Sequence, residues 1–322
     1  MECVDKDVYL GDWISSDGTN TATIKARVSK GNGILSQIRD YLETVSFGKH
    51  YFKTALLLRE SLLLNGILTN CSSWYGLTET DLSDLESLDL AFFRNIFEVP
   101  HTVPTVSLFL ETGSYSIRTI IKVRRIIYLH YLVKLEQSEM LSEFFFAKWG
   151  NPVKLDWTTE VKENLIELGL PTNLEVIKSM SKYAFTKLVK KHAKEYEFDR
   201  FLEIKGTKAK SKMKDLFYNE LKLQDYLLLK EMNASQAKAL FKFRVRMAPF
   251  GQNFKGGQAE IICPLCNGHP DGQAESFHCE RIKKVIDVQG DYKQIFGFKF
   301  SQGLVKTVRN IYNFREEYRK LG

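Results

Sequence analysis

The chain has 322 residues, a 44% hydrophobic and 26% charged composition, and a net charge of +7. That length allows two or three domains with cores of their own, and the composition is that of an ordinary globular protein rather than a disordered or fibrous one. No run reaches the roughly 18 apolar residues of a membrane span, the N-terminus lacks an apolar signal core, and the five cysteines, three of them clustered, do not form a disulfide framework. An intracellular, reducing location is expected, with nucleus or cytoplasm left open.

In chain order, residues 7–14 (DVYLGDWI) are β-branched and aromatic and precede the turn Ser15-Ser16-Asp17-Gly18. They predict one strand, or a hairpin, at the start of an otherwise helical chain. A lone strand leaves its backbone groups unpaired, so partners are expected for it. From Thr21 or Thr23, as cap, a helix is predicted to about Glu43, with Ile24, Val28, Ile34, Leu35, Ile38 and Leu42 on one face. Ser46-Phe47-Gly48 breaks it. A second helix over about 49–70 carries Phe52, Ala55, Leu56, Arg59, Leu63 and Ile67 and is apolar enough to be central.

A third helix starts near Thr78-Glu79-Thr80-Asp81 and stops at Pro100. Its Asp81, Asp84 and Asp89 read as capping and exposed-face charges. Pro104–Tyr115 reads as a connection, followed by a helix over 116–135 and a short one around Phe144-Phe145-Phe146 that ends at Gly150-Asn151-Pro152. Residues 157–200 read as short helices separated by Gly169-Leu170-Pro171. Gly206–Lys214 is a lysine-rich linker. Helices are predicted over about 216–231, 234–246 and 302–320, and Gly251, Gly256 and Gly257 loosen the chain before a cysteine cluster. The fold class is mainly α, with a helical bundle, a helical linker domain, a small C-terminal knuckle and one N-terminal strand or hairpin.

The cluster reads Cys263-Pro-Leu-Cys266-Asn-Gly-His269, then His278-Cys279. A Cys-x-x-Cys turn points two thiolates at one ion, and zinc takes four such ligands. Cys263, Cys266 and Cys279 supply three. His269 is preferred as the fourth over His278, because His278 and Cys279 are adjacent and share an ion only through an awkward backbone. Four protein ligands close a site, which makes the zinc structural. No βαβ pattern surrounds the Cys-x-x-Cys to suggest redox catalysis.

Between Lys178 and Asp215 lie twelve basic and five acidic residues, an excess of seven that equals that of the whole chain. Lys187, Lys190, Lys191 and Lys194 recur at helical spacing and share a face, with Tyr183, Phe185, Tyr196 and Phe198 interleaved. This pattern suits a phosphate backbone, and equally a solvated helix face. Arg118, Lys122, Arg124 and Arg125 form a smaller basic group, read as flanking an apolar stripe without a ligand. His50, His101, His130 and His192 are scattered. There is no phosphate loop, nucleophile elbow or strand-turn aspartate pair, so catalysis by this chain alone is not expected.

Tyr9-Leu10-Gly11, Ile14-Ser15-Ser16-Asp17-Gly18 and Arg27-Val28-Ser29-Lys30-Gly31 together resemble the passage from palm to thumb in non-LTR (LINE-type) retrotransposon reverse transcriptases. Leu57-Leu58-Arg59-Glu60-Ser61 to Leu68-Thr69-Asn70, Trp74-Tyr75-Gly76-Leu77 and Arg124-Arg125 with Tyr128-Leu129-His130-Tyr131 are similar to the thumb helices. Cys263-Pro264-Leu265-Cys266 is similar to the cysteine/histidine knuckle beyond the polymerase. The resemblance spans nearly the whole chain and departs from the family at Glu275, where the commoner ligand histidine would stand.

The resemblance implies this layout: a residual palm strand and turn at 1–18, a thumb-like bundle at 19–135, a basic helical linker domain at 136–205, a lysine-rich linker at 206–215, helices at 216–250, a knuckle at 251–290 and a C-terminal helix at 291–322. It implies binding of RNA template or RNA–DNA duplex, with Arg27 and Lys30 gripping the duplex and Lys187, Lys190, Lys191 and Lys194 adding affinity. The palm aspartates, the fingers and the endonuclease are absent from the sequence, so no catalytic residue carries over and no polymerase activity is expected of the chain alone. No membrane or small-molecule substrate is implied. The alternatives are a helical protein–protein scaffold with a structural zinc and a non-functional fragment.

Overall fold

A computed structural model describes residues 5–9, 11–45, 50–136, 138–151, 153, 156–207, 213, 215–228, 232–254, 261–297 and 300–321. The expectations for Leu10, Ser46-Phe47-Gly48, Pro152, Gly256, Gly257 and the lysines at 208, 210, 212 and 214 lie outside the described residues.

The chain opens with an antiparallel hairpin, β1 (Lys6–Tyr9) and β2 (Asp12–Ser15), in the register Lys6↔Ser15 to Tyr9↔Asp12. Of the strand or hairpin expected here, the chain forms the hairpin. The turn falls where Gly11 takes φ +84°, a left-handed conformation that glycine adopts without a Cβ penalty. The helices follow: α1 (Thr21–Thr44), α2 (Tyr51–Leu58), α3 (Glu79–Phe97), α4 (Thr105–Thr112), α5 (Ile117–Lys134), α6 (Met140–Gly150), α7 (Trp157–Glu167), α8 (Leu174–Ser179), α9 (Lys182–Thr207), α10 (Ala234–Arg244) and α11 (Gln302–Leu321). The architecture is mainly helical with one two-stranded sheet among the described residues. No described helix is long and apolar enough to cross a membrane.

The predicted helix over 49–70 is not uniform: α2 passes into a π-helical segment, Arg59–Leu64, and a last turn, Asn65–Ile67. Thr23 does not cap α1. Its hydroxyl bridges the N–H and C=O of Trp13 instead, at 2.8 and 3.1 Å, and so holds β2 against α1. Pro104–Tyr115 is not a mere connection, since it holds α4. The region 216–231 is not a helix in its described part, where only the 3-10 turn Asp225–Leu227 is regular. Leu216 and Leu221 are buried there on irregular backbone, Tyr226 and Leu227 are buried in the turn, and Gln224 N–H donates to Glu111 O at 3.0 Å. The expected short helices of 157–200 end in one long helix, α9.

The chain forms two compact units. The first comprises Met1–Gln37, Arg59–Ala91 and Tyr115–Arg200. Its apolar core joins Val123, Ile126, Leu129 and Val133 of α5 to Phe145, Val161, Leu165, Ile177, Phe185 and Val189. His130 is buried here, stacked on Phe185 with its Nε2 3.0 Å from Met180 O, and His192 Nδ1 lies 2.9 Å from Leu168 O. Both histidines are therefore plain structural ones. The second unit comprises Ile38–Leu58, Phe92–Ser114 and Phe201–Gly322. Its core is aromatic: Phe97 stacks on Phe241 and Phe109 on Phe201, with ring centres 4.0 and 5.3 Å apart. Within this unit α10 packs along α11, and the buried Arg244 of α10 donates to Glu111 at 2.9 Å, which also accepts from Tyr218 at 2.7 Å.

Candidate metal centre

The segment 261–279 is built for close approach of side chains rather than for regular structure. Ile262 and Pro270 form an antiparallel bridge, and Cys263 N–H donates to His269 O at 2.8 Å. Between them the chain doubles back through Asn267 at φ +53°, whose N–H donates to Cys263 O at 2.9 Å. Asparagine is among the few non-glycine residues that tolerate this conformation. The tight loop places Cys263, Cys266 and His269 at one end. Cys279 arrives from the other side, at the N-terminus of the one-turn helix Glu280–Lys283.

The ligand atoms of Cys263, Cys266, His269 and Cys279 all lie within 4.8 Å of one another. Cys263 and Cys279 are buried. Burial, chiefly, pushes the Cys263 thiol up to about 11, with the neighbouring sulfurs adding to it, whereas the Gly268 N–H holds the Cys266 thiol below its ordinary range. That N–H stands 3.5 Å from the Cys266 sulfur. Three sulfurs crowded in this way repel one another as thiolates unless a cation lies between them.

His269 gives the sharper test of fit. Its Nδ1 lies 2.9 Å from Pro270 O, a contact that requires Nδ1 to carry the proton. The lone pair is then on Nε2, which is buried and has no hydrogen-bond partner. A buried acceptor without a donor is costly, and metal-bound imidazoles characteristically donate their other nitrogen to a carbonyl in this way. The four residues can therefore hold a metal ion, and their three thiols and one imidazole are compatible with zinc. His278, the other candidate, is exposed and outside the cluster.

Within the second unit, a buried ion pair ties the knuckle to α11. Arg315 of α11 donates to both carboxylate oxygens of Asp271 at 2.7 and 2.8 Å, and Asp271 accepts the Gly251 N–H at 2.7 Å. Tyr318 adds a bond to Pro264 O at 3.2 Å. Sequence reasoning missed this support. An aspartate two residues after a ligand histidine is a weak signal, and its arginine lies 44 residues away.

No family model, curated protein or solved structure matches this chain.

The remaining predicted site residues divide sharply. Arg27 is buried, with its guanidinium bound to Gly11 O at 2.9 Å and Asp12 at 2.7 Å. It pins the hairpin to α1 and is not presented to a duplex, which corrects the expectation for it. Lys30 is exposed. Arg118 binds Glu79 and Glu86, Lys122 binds Glu167, and Arg125 binds Glu160. Arg124 donates to Leu68 O at 2.8 Å. The smaller basic group is thus used up in internal contacts. On α9, by contrast, Lys187, Lys190 and Lys191 are exposed and Lys194 half-exposed, while Phe185, Val189 and Ala193 on the opposite face are buried.

Proposed function

We propose that this chain is a nucleic-acid-binding helical protein, stabilised by a structural zinc ion and akin to the thumb-to-knuckle region of LINE-type reverse transcriptases. The observation that carries the reading is the contrast between two basic groups within the first unit. Arg118, Lys122, Arg124 and Arg125 are bound to acceptors of the protein itself. Lys187, Lys190 and Lys191 stand on the solvent face of a 26-residue helix, where one ion pair, Lys191–Glu195 at 3.9 Å, involves them. A pair so exposed is worth little, which leaves the lysines to phosphates. Contacts of this kind position a strand without reading its sequence.

Zinc on Cys263, Cys266, His269 and Cys279 would be closed by four protein ligands. Its role is then to hold the loop between α10 and α11 in one shape, not to activate water. In a reaction of the kind those enzymes carry out, the chain's part would be to hold RNA or an RNA–DNA duplex, without carrying out polymerisation. The test is the affinity of the full chain for RNA, DNA and hybrid oligonucleotides as a function of salt. Binding that weakens as a power of the salt concentration supports the reading, and no binding at low salt overturns it.

A further inference from the structure

The first unit contains a cavity of about 610 Å³ that neither the metal centre nor the lysine face uses. Its walls come from the hairpin, from the start of α1, from the loop 70–75 and from Tyr128 of α5. That volume is in the range of small-ligand sites. The lining is unusual in kind. It carries five aromatic residues, Tyr9, Trp13, Trp74, Tyr75 and Tyr128, of which Tyr9, Trp13 and Tyr75 are exposed. The rest is almost wholly neutral and polar: Ser15, Thr19, Asn20, Asn70, Ser72 and Ser73 among others.

Its one carboxylate, Asp12, accepts from Arg27 at 2.7 Å and from Asn70 at 2.9 Å. That fixes it in place while leaving acceptor capacity, because a carboxylate has about four lone-pair sites. Trp74, in the wall, is 2% exposed and its Nε1 is buried without a hydrogen-bond partner. No lysine or arginine lines the cavity, so a bare phosphate has nothing to hold it there.

Aromatic faces with amide, hydroxyl and carboxylate groups between them suit a flat, neutral ring with donors and acceptors on its edge. The same unit carries Lys187, Lys190, Lys191 and Lys194, which suit phosphates. One ligand class presents both chemistries, a nucleotide. We infer that the cavity takes an unpaired nucleobase, stacked against Trp13 or Tyr75 and hydrogen-bonded at its edge, and that the chain consequently prefers single-stranded to fully paired nucleic acid. This rests on the nucleic-acid reading above for the strand, but not for the pocket. The base can come from a free nucleotide or from a strand, and the chemistry is the same.

The experiment uses the full chain. Single-stranded oligonucleotides, the matching duplex, nucleoside monophosphates and ribose 5-phosphate are titrated against the native protein, Trp13→Ala and Tyr75→Ala. Both side chains are partly exposed, and circular dichroism checks that the variants keep their helix content. Base–aromatic stacking is worth enough that either variant should bind the single strand about tenfold more weakly. Affinity for the duplex should change less than about twofold. Monophosphates should bind, and ribose 5-phosphate should not.

If oligonucleotides bind but the two variants leave single-strand affinity unchanged, the pocket assignment is wrong and the lysine reading stands. If no oligonucleotide binds while monophosphates do, and Trp13→Ala abolishes it, the pocket stands and the strand reading falls. Binding of ribose 5-phosphate as tight as that of the monophosphates overturns the inference, as does binding of neither oligonucleotides nor monophosphates.

Discussion

Arg59 and Asp89 form a two-bond ion pair, with Nε to Oδ1 at 2.6 Å and Nη2 to Oδ2 at 2.7 Å, and both side chains are sealed from solvent. Arg59 opens the π-helical segment, and its guanidinium also reaches Tyr115 O at 3.1 Å. One side chain thereby links three segments of the first unit. Nothing in the local pattern announces this. Asp89 sits in a helix with Asp81 and Asp84 and reads as an exposed charge, yet it is fully buried, which corrects that expectation. Asp81, in contrast, does cap: it accepts the Thr78 N–H at 3.0 Å while Thr78 Oγ1 accepts the Asp81 N–H at 3.1 Å.

A buried pair is worth most when compared with one broken partner. Asp89→Ala removes the buried, two-bond counter-charge of Arg59, leaving the exposed Glu60 at 3.6 Å as a weaker one, and should cost about 3–5 kcal/mol. The double replacement Arg59→Met with Asp89→Leu removes both charges and should recover most of that loss. Urea denaturation of the three proteins measures it. An Asp89→Ala loss below about 1 kcal/mol would show that the pair does not hold this unit together.

The metal centre makes a prediction that separates the two histidines. Zinc that binds the folded state and not the unfolded one raises stability in proportion to RT ln(1 + [L]/Kd), so a chelator should lower the melting temperature. Cobalt(II) in place of zinc should give the visible absorption of a tetrahedral thiolate site. Cys266→Ser and His269→Ala should weaken both signals, and His278→Ala should leave them as they are. Loss of cobalt absorption in His278→Ala with retention in His269→Ala would reverse the assignment.

The convergence of Cys263, Cys266 and His269 was legible because it is local: a Cys-x-x-Cys turn and a histidine three residues on must lie close whatever surrounds them. Helix α5 was legible because its apolar period is long. What was not legible depended on partners far along the chain. Arg27 is expected to face a duplex, but Gly11 O and Asp12 in the folded hairpin turn it inward. Helix α4 had its boundary signals in view, Pro104 before it and Gly113 after it, the latter at φ +65°. Its eight residues are too short to show a period. The region 216–231 has the apolar content of a helix, but its backbone bonds to Glu111, which is distant in sequence.

Asp156 gives a pH prediction. It caps α7, accepting the Thr159 N–H at 2.7 Å, the Thr158 hydroxyl at 2.8 Å and the Val153 N–H at 3.2 Å. Burial acts to raise its pKa, but these hydrogen bonds together outweigh burial and bring it down to about 2. A pKa lowered by folding stabilises the folded state above the unfolded value, near 4, and that stability is lost as the pH falls through the folded value. Asp156→Ala should therefore cost about 1 kcal/mol at neutral pH, the worth of a helix cap. The gap between variant and native protein should close between about pH 4 and pH 2. Asp156→Asn, which keeps an acceptor for the Thr159 N–H but loses the one for the Val153 N–H, should lie between the native protein and Asp156→Ala at neutral pH. A gap that stays constant down to pH 2 would mean that the carboxylate charge plays no part.

The lysine face can be tested against the internal basic group as its control. Each lysine that meets a phosphate releases a counterion, so the slope of log K against log salt should become shallower by about 0.7–0.9 for every contact removed. Replacing Lys187, Lys190, Lys191 and Lys194 together by alanine should reduce the slope by about three units. Stability should shift by less than about 1 kcal/mol, because Lys187, Lys190 and Lys191 stand exposed on the outer face of α9 and Lys194 is half-exposed. Arg118→Ala should do the reverse. Its guanidinium is held by Glu79 at 2.7 Å and Glu86 at 3.1 Å, so the slope should hold while the melting temperature falls. Equal slopes for the native protein and the fourfold lysine variant would place the phosphate contacts elsewhere on the molecule.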